Sequence, residues 1–121
     1  MSGRILVIED HEENRRILRL LLASAGYEVI EAATGEDGVT LAETGRPNLI
    51  LMDIQLPGLD GYEATRRIKA NPALHQIPII VVTSYALSGD DVKAFEAGCD
   101  AYVTKPFNPR QLLAKVREYL P

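Results

Sequence analysis

Five groups able to do chemistry stand where short apolar runs end. Glu9 and Asp10 follow Ile5–Ile8, Asp53 closes Leu49–Met52, Thr83 follows Ile79–Val82, and Lys105 stands two residues beyond Ala101–Val103. If the first and third runs are neighbouring strands, three carboxylates share one crevice. Like charges about 4 Å apart repel by ~1 kcal/mol in water and ~4 kcal/mol near a protein surface, so such a crevice wants a cation. A hard divalent ion meets that need: Mg2+ takes oxygen ligands, keeps several waters, and is held by one or two carboxylates together with phosphate oxygens. Lys105 adds a fixed ammonium and Thr83 a hydroxyl donor. With Asp53 as carboxylate nucleophile, these are the parts that phosphoryl transfer uses. Singly, each has a plainer reading, as a turn, a cap or a solvated loop residue; their joint placement carries the argument.

The elements that must position these groups alternate along the chain. Ile5–Ile8, Val29–Ala32, Leu49–Met52, Ile79–Val82 and Ala101–Val103 are apolar and rich in β-branched residues, as strands covered on both faces are. Between them the spacing is helical. Leu18, Leu21, Leu22 and Ala25 line one face of a helix whose other faces carry Arg15, Arg16 and Arg19, and Gly26 stops it. Thr34 before Asp37, Asp60 before Glu63, and Ser88 before Asp91 each pair a capping side chain with an acid three residues on. Asn108–Pro109 opens a last helix with Leu113, Val116 and Leu120 on its inner stripe. Alternating strands and helices predict an α/β doubly wound parallel sheet of five strands with five helices, because parallel neighbours need right-handed crossovers. Ligands in such sheets bind beyond the carboxyl ends of the strands, where the strand order reverses.

Composition sets the outer limits. A chain of 121 residues, 46% hydrophobic and 25% charged, makes one ordinary globular domain, read as 1–121. Its net charge of -4 argues against a nucleic-acid footprint, which needs clustered Lys and Arg. No stretch approaches the roughly 20 apolar residues of a membrane span, and no signal h-region is present. The single cysteine, Cys99, excludes an intramolecular disulfide and is read as a buried, inert thiol; the setting expected is a reducing cytoplasm. His11 and His75 have no Cys or His partner at ligand spacing and are read as surface residues, so zinc binding and Ser–His–Asp catalysis find no support. Gly58 and Gly61 are read as turn residues behind Pro57. Lys105 precedes Pro106, and a cis X–Pro bond there would aim the lysine back at the crevice.

The segments VIEDHEEN (7–14), LILMDIQLPGLDG (49–61), IPIIVVTSYA (77–86) and GCDAYVTKPF (98–107), in this order, closely resemble the receiver domain of two-component response regulators. The likeness spans essentially the whole chain, and ILMDIQLP and GCDAYVTKP are similar to the single-domain cell-division regulators of the DivK type. The resemblance implies a flavodoxin-like or CheY-like fold with strand order 2-1-3-4-5. It implies that Asp53 is the phosphoacceptor. Mg2+ would be bound by Asp10 and Asp53 with the Gln55 backbone carbonyl, and by Glu9 largely through water. Thr83 and Lys105 would contact the phosphoryl group. Ser84 would leave room for that group, Gln55 and Tyr85 would flank it, and Tyr102 matches the aromatic switch residue. Glu9 departs from the Asp that many relatives carry, and its extra methylene bears on the water-bridged metal geometry.

A histidine kinase or histidine phosphotransfer protein is the implied donor. The output is a protein target read by the surface of the fourth helix, fifth strand and fifth helix, where Lys93, Gln111 and Lys115 are candidate side chains. Equally, those three could be a solvated face. Met1 and the ending at Pro121 favour a single-domain protein with no attached effector over a fragment excised from a hybrid kinase or a longer regulator; a monomer is expected, with dimerisation on phosphorylation left open. Two enzyme-like rivals are weaker. Aspartyl phosphatases want a second acid two residues after the nucleophile, where Gln55 stands. A flavin phosphate would be repelled by three acids. The third rival, an interaction module with a dead site, lacks support because the phosphorylation residues are all present.

Overall fold

In the computed structural model, which describes residues 3–83 and 90–121, ten elements alternate from strand to helix. They are β1 (Arg4–Ile8), α1 (Glu12–Ser24), β2 (Glu28–Ala32), α2 (Gly35–Gly45), β3 (Leu49–Met52), α3 (Gly61–Ala70), β4 (Ile79–Thr83), α4 (Asp90–Ala97), β5 (Ala101–Thr104) and α5 (Pro109–Tyr119). The strands form one parallel sheet in the order β2-β1-β3-β4-β5. Each predicted strand is present, and four of the five run one residue longer than their apolar cores. Thr83 is accordingly the last residue of β4 rather than the first beyond it.

The alternation of side chains along the strands builds two cores. Leu6, Ile8, Ile50, Met52, Ile79 and Val81 face Ala42, Ala64, Ile68 and Ala94 of α2, α3 and α4. Ile5, Val7, Leu49, Leu51, Ile80 and Val82 face Leu18 and Leu22 of α1 and Leu112 and Val116 of α5. With helices on both faces, β1, β3 and β4 are buried throughout apart from Arg4, which explains their uninterrupted apolar runs. In α5 the expected stripe shifts: Leu112 and Val116 are fully buried, while Leu113 and Leu120 pack only partly. Three predicted caps form. Thr34 Oγ1 accepts from Asp37 N–H at 3.1 Å, Asp60 Oδ1 from Glu63 N–H at 2.9 Å, and Asn108 Oδ1 from Arg110 N–H at 2.9 Å. The fourth predicted cap, Ser88, lies outside the described residues, as do Ser84 and Tyr85.

β1 sits between β2 and β3, so the strand order reverses at its carboxyl end. The crevice there is bounded by the residues that follow β1 and β3.

Candidate functional site

Ile8 pairs with Met52 in the β1–β3 register, so Glu9 and Asp53 leave the sheet side by side. The ladder holds both in place: Glu9 N–H donates to Ala32 O and Asp53 N–H to Ile8 O, each at 3.0 Å. The loop after Asp53 then turns under its own backbone, with Gly61 N–H donating to Ile54 O at 2.9 Å. A Cβ on Gly61 would stand 2.2 Å from Asp53 O and 2.7 Å from Ile54 Cα. Gly61 is therefore required by close backbone approach, which corrects its reading as a turn residue; Gly58, at φ 72°, fits the turn reading. From the other side, Lys105 N–H donates to Thr83 O at 2.7 Å, and the Lys105–Pro106 bond is cis.

The side chains meet unequally. The Lys105 ammonium lies 2.5 Å from Glu9 Oε1 and 3.8 Å from Asp53 Oδ2. Glu9, only 1% exposed, would have its carboxyl raised by burial, but Lys105 and the His11 N–H outweigh that and hold it down at about 2. Asp53, 6% exposed, is compensated less. Burial first and the Glu9 charge second push its carboxyl up to about 6, against the weaker pull of Lys105 and of the Gln55 N–H at 3.4 Å. Asp10 is partly exposed, yet its Oδ1 is shut off from solvent and receives no hydrogen bond among the described residues. His11 Nδ1 stands 3.1 Å from that oxygen and 3.3 Å from Glu9 Oε2. An orphaned carboxylate oxygen beside a second buried carboxylate suits a hard cation, and the oxygen-rich donor set fits Mg2+.

Thr83 is fully buried at the end of β4, and Tyr102, opposite Val81 in β5, packs partly buried against the core beneath α4. Gln55 is exposed at the mouth. Two contributors were not legible in the sequence. Arg15, grouped there with the outer faces of α1, donates from Nη1 to Glu9 O at 2.8 Å and Asp10 O at 3.2 Å, and so fixes the backbone of the acid pair. His11 is a surface residue, as read, but it also belongs to the acid cluster. Its adjacency to Glu9–Asp10 was the available signal. His75 is exposed, and Cys99 is buried, its thiol pushed up to about 11 by burial and by Asp100, which suits an inert thiol. A surface cavity of about 480 Å³ lies at the opposite end of the sheet among Arg46, Asn48, Asn71 and Ile77 and contains none of these groups.

A doubly wound sheet with acids at its switch point and a lysine reaching in from β5 defines a receiver-type signalling domain. Residues 5–117 match the family described as the response regulator receiver domain, and the chain belongs to that family, whose members signal in two-component systems through phosphorylation. It is 38% identical over 120 residues to the polar-differentiation response regulator DivK of Brucella anthropi, covering 99% of this chain and 98% of that one. Among solved structures it is similar to the receiver domain of a sensor histidine kinase from Pseudomonas aeruginosa. The TM-score is 0.92 and the identity 38%, over 99% of this chain and 98% of that one. That structure has a magnesium ion coordinated in its active-site cleft. A chemotaxis protein of Vibrio cholerae superposes with TM-score 0.92 at 25% identity, over 98% and 99% of the two chains.

Proposed function

We propose that residues 1–121 act as one receiver unit that takes a phosphoryl group on Asp53 from a histidine kinase or histidine phosphotransfer protein and passes the signal to a protein target. The observation that carries this reading is the Asp53 carboxylate itself, buried at the end of the central strand β3 beside the acid pair, with the Lys105 ammonium 3.8 Å away.

In the transfer, an Asp53 oxygen attacks phosphorus as the P–N bond of the donor phosphohistidine breaks, and the electron pair leaves with the imidazole, which takes up a proton. Later, water attacks the acyl phosphate; the O–P bond opens and restores the carboxylate. Asp10, Asp53 and the Gln55 carbonyl would hold Mg2+, with Glu9 largely behind water. When bound, the ion neutralises charge on the phosphoryl oxygens. Thr83 and Lys105 take the remaining oxygens. To do so, Lys105 turns from Glu9 toward Asp53, and the acid pair it leaves, Glu9 and Asp10, would be balanced by the bound Mg2+. Tyr102 responds to Thr83, and the surface of α4, β5 and α5 changes for the target. The protein is a signalling phosphoacceptor rather than a turnover enzyme, and its proposed setting is the cytoplasm. No helix among the described residues is long and apolar enough to cross a membrane.

Acetyl phosphate tests the reading. With Mg2+, the protein gains the mass of one phosphoryl group in an alkali-labile form; EDTA prevents the gain, and Asp53→Ala does not show it. Labelling that persists in Asp53→Ala places the acceptor elsewhere and overturns the assignment.

A further inference from the structure

β2 is the edge strand beside β1, and none of the groups placed in the crevice comes from it. Yet its last two residues hold Glu9 by both its backbone N–H and its carbonyl. Ala32 O accepts the Glu9 N–H at 3.0 Å. Glu31 acts on the carbonyl through Arg15 of α1: Glu31 Oε1 lies 3.4 Å from Arg15 Nε, and Arg15 Nη1 donates to Glu9 O at 2.8 Å and to Asp10 O at 3.2 Å. The second oxygen of Glu31 accepts from Arg19 Nη1 at 2.7 Å, so its carboxylate is anchored to α1 at two points.

The Arg15 contacts mark a bend. In an extended strand successive peptide units face opposite ways, so one nitrogen does not reach two consecutive carbonyls. Nη1 does so here because the chain turns out of β1 at residues 9 and 10. That turn decides where the Asp10 carboxylate is aimed. A guanidinium suits the task because its donors lie in one plane at fixed angles. With Nη1 on the carbonyls, the group that holds Nε sets the tilt of the plane, and that group is Glu31. The contact is a poor source of stability, since the Glu31 side chain is 25% exposed and ion pairs open to solvent contribute little. What it contributes is orientation.

We propose that Glu31 is a positioning residue for the acceptor site: by holding Arg15 it fixes the bend at Glu9–Asp10, and so sets how tightly the site takes Mg2+. The proposal rests on the reading that Asp10 ligates Mg2+ there, and it deepens that reading by carrying control of the ligand out to the edge strand. Glu31 acts only through Arg15.

The test is a Mg2+ titration followed by NMR at the backbone amides of Asp10 and His11, on the wild type, Glu31→Gln, Arg15→Lys, the double variant and Glu13→Gln. Glu13, an exposed acid in the first turn of α1, controls for the loss of nearby negative charge alone. Groups that support a metal ligand typically set roughly 10- to 100-fold in affinity, so Glu31→Gln should raise the Mg2+ dissociation constant about tenfold. Its Asp10 amide should be shifted before any metal is added. Arg15→Lys should weaken binding at least as much, since an ammonium lacks the fork. The double variant should be no weaker than Arg15→Lys alone, because Glu31 then has nothing to act through. Urea unfolding of Glu31→Gln should stay near the wild type. An unchanged dissociation constant in Glu31→Gln overturns the proposal. So does an equal loss in Glu13→Gln, the mark of charge alone, or additive losses in the double variant, which give Glu31 a route of its own. Weaker binding matched by a comparable loss of stability makes Glu31 merely structural and overturns it too. Acetyl phosphate labelling separates the two claims. If the wild type is labelled with Mg2+ while Glu31→Gln binds the ion equally well, only this inference fails; a wild type that neither binds Mg2+ nor is labelled removes the acceptor reading, and this proposal with it.

Discussion

Asp53 and Glu9 are neighbours whose acidities the fold drives in opposite directions, and the split makes a pH signature. Asp53 is raised from 3.8 to about 6, so the native state holds a proton that the unfolded chain has released between those values, and stability falls as pH rises from about 4 to 6. Glu9 is lowered from 4.5 to about 2, so its contribution is present above about 4.5 and is lost as pH falls toward 2. Taken by themselves, these two groups contribute most to the stability of the metal-free protein near pH 4 to 5. Asp53→Asn, which keeps the shape and removes the charge, should abolish the decline between pH 4 and 6 and stabilise the metal-free protein at pH 7 by on the order of 2 kcal/mol in urea unfolding. A destabilised Asp53→Asn would show that the carboxylate is better compensated than its surroundings indicate. Glu9→Gln tests the same coupling from the other side. With its ionic partner gone, Lys105 should turn to Asp53, and the Asp53 carboxyl should titrate lower than in the wild type when followed by carboxyl-carbon NMR; an unmoved or higher titration counts against the shared lysine. At this scale the sequence named groups that meet in the crevice, Glu9, Asp53 and Lys105, but not their ranking. β1 is buried on both faces, so no alternation of apolar and polar residues says which of Glu9 and Asp10 turns inward, and only the chain beyond the strand settles it.

Elements were more legible than side chains, because a buried parallel strand and a capped helix each write a pattern several residues long. All five strands and the caps at Thr34, Asp60 and Asn108 follow from such patterns. Tertiary approach writes no pattern. Gly61 looks like another loop glycine, yet α3 begins so close to β3 that only a residue without Cβ can stand there. Gly61→Ala should cost about 1–3 kcal/mol in stability and should also displace the Asp53 backbone, slowing acetyl phosphate labelling, whereas Gly58→Ala should leave labelling much nearer wild type. Equal labelling in Gly61→Ala and the wild type would mean that the strain is absorbed by α3 and never reaches the acceptor. Arg15 escaped for the same reason: three arginines on an amphipathic helix read as a solvated face, and nothing local tells that one of them folds back onto the carbonyls of residues 9 and 10.

The whole molecule divides by burial. β1 and β3 are sealed in the middle of the sheet and carry the acids, whereas β5 is an edge strand whose Tyr102 and Val103 are only partly buried and whose Thr104 is exposed. A site built on the sealed strands can stay fixed while the edge responds to it, and Thr83, the last residue of β4, stands where the two regions meet. A phosphoryl group on Asp53 that draws the Thr83 hydroxyl into a charge-assisted hydrogen bond gains about 1.5–3 kcal/mol, enough to shift a two-state equilibrium roughly 10- to 100-fold. The response should then travel outward through Tyr102. Amide hydrogen exchange with and without acetyl phosphate and Mg2+ should show altered protection in β5 and the start of α5, with β1 and β3 unchanged. Tyr102→Ala should accept the phosphoryl group as the wild type does but lose most of the change in β5. A variant that labels normally and keeps the full exchange response would exclude Tyr102 as the relay. Exchange that altered β1 and β3 as much as β5 would show that phosphorylation loosens the sheet as a whole, and the division between a fixed centre and a responsive edge would fall with it.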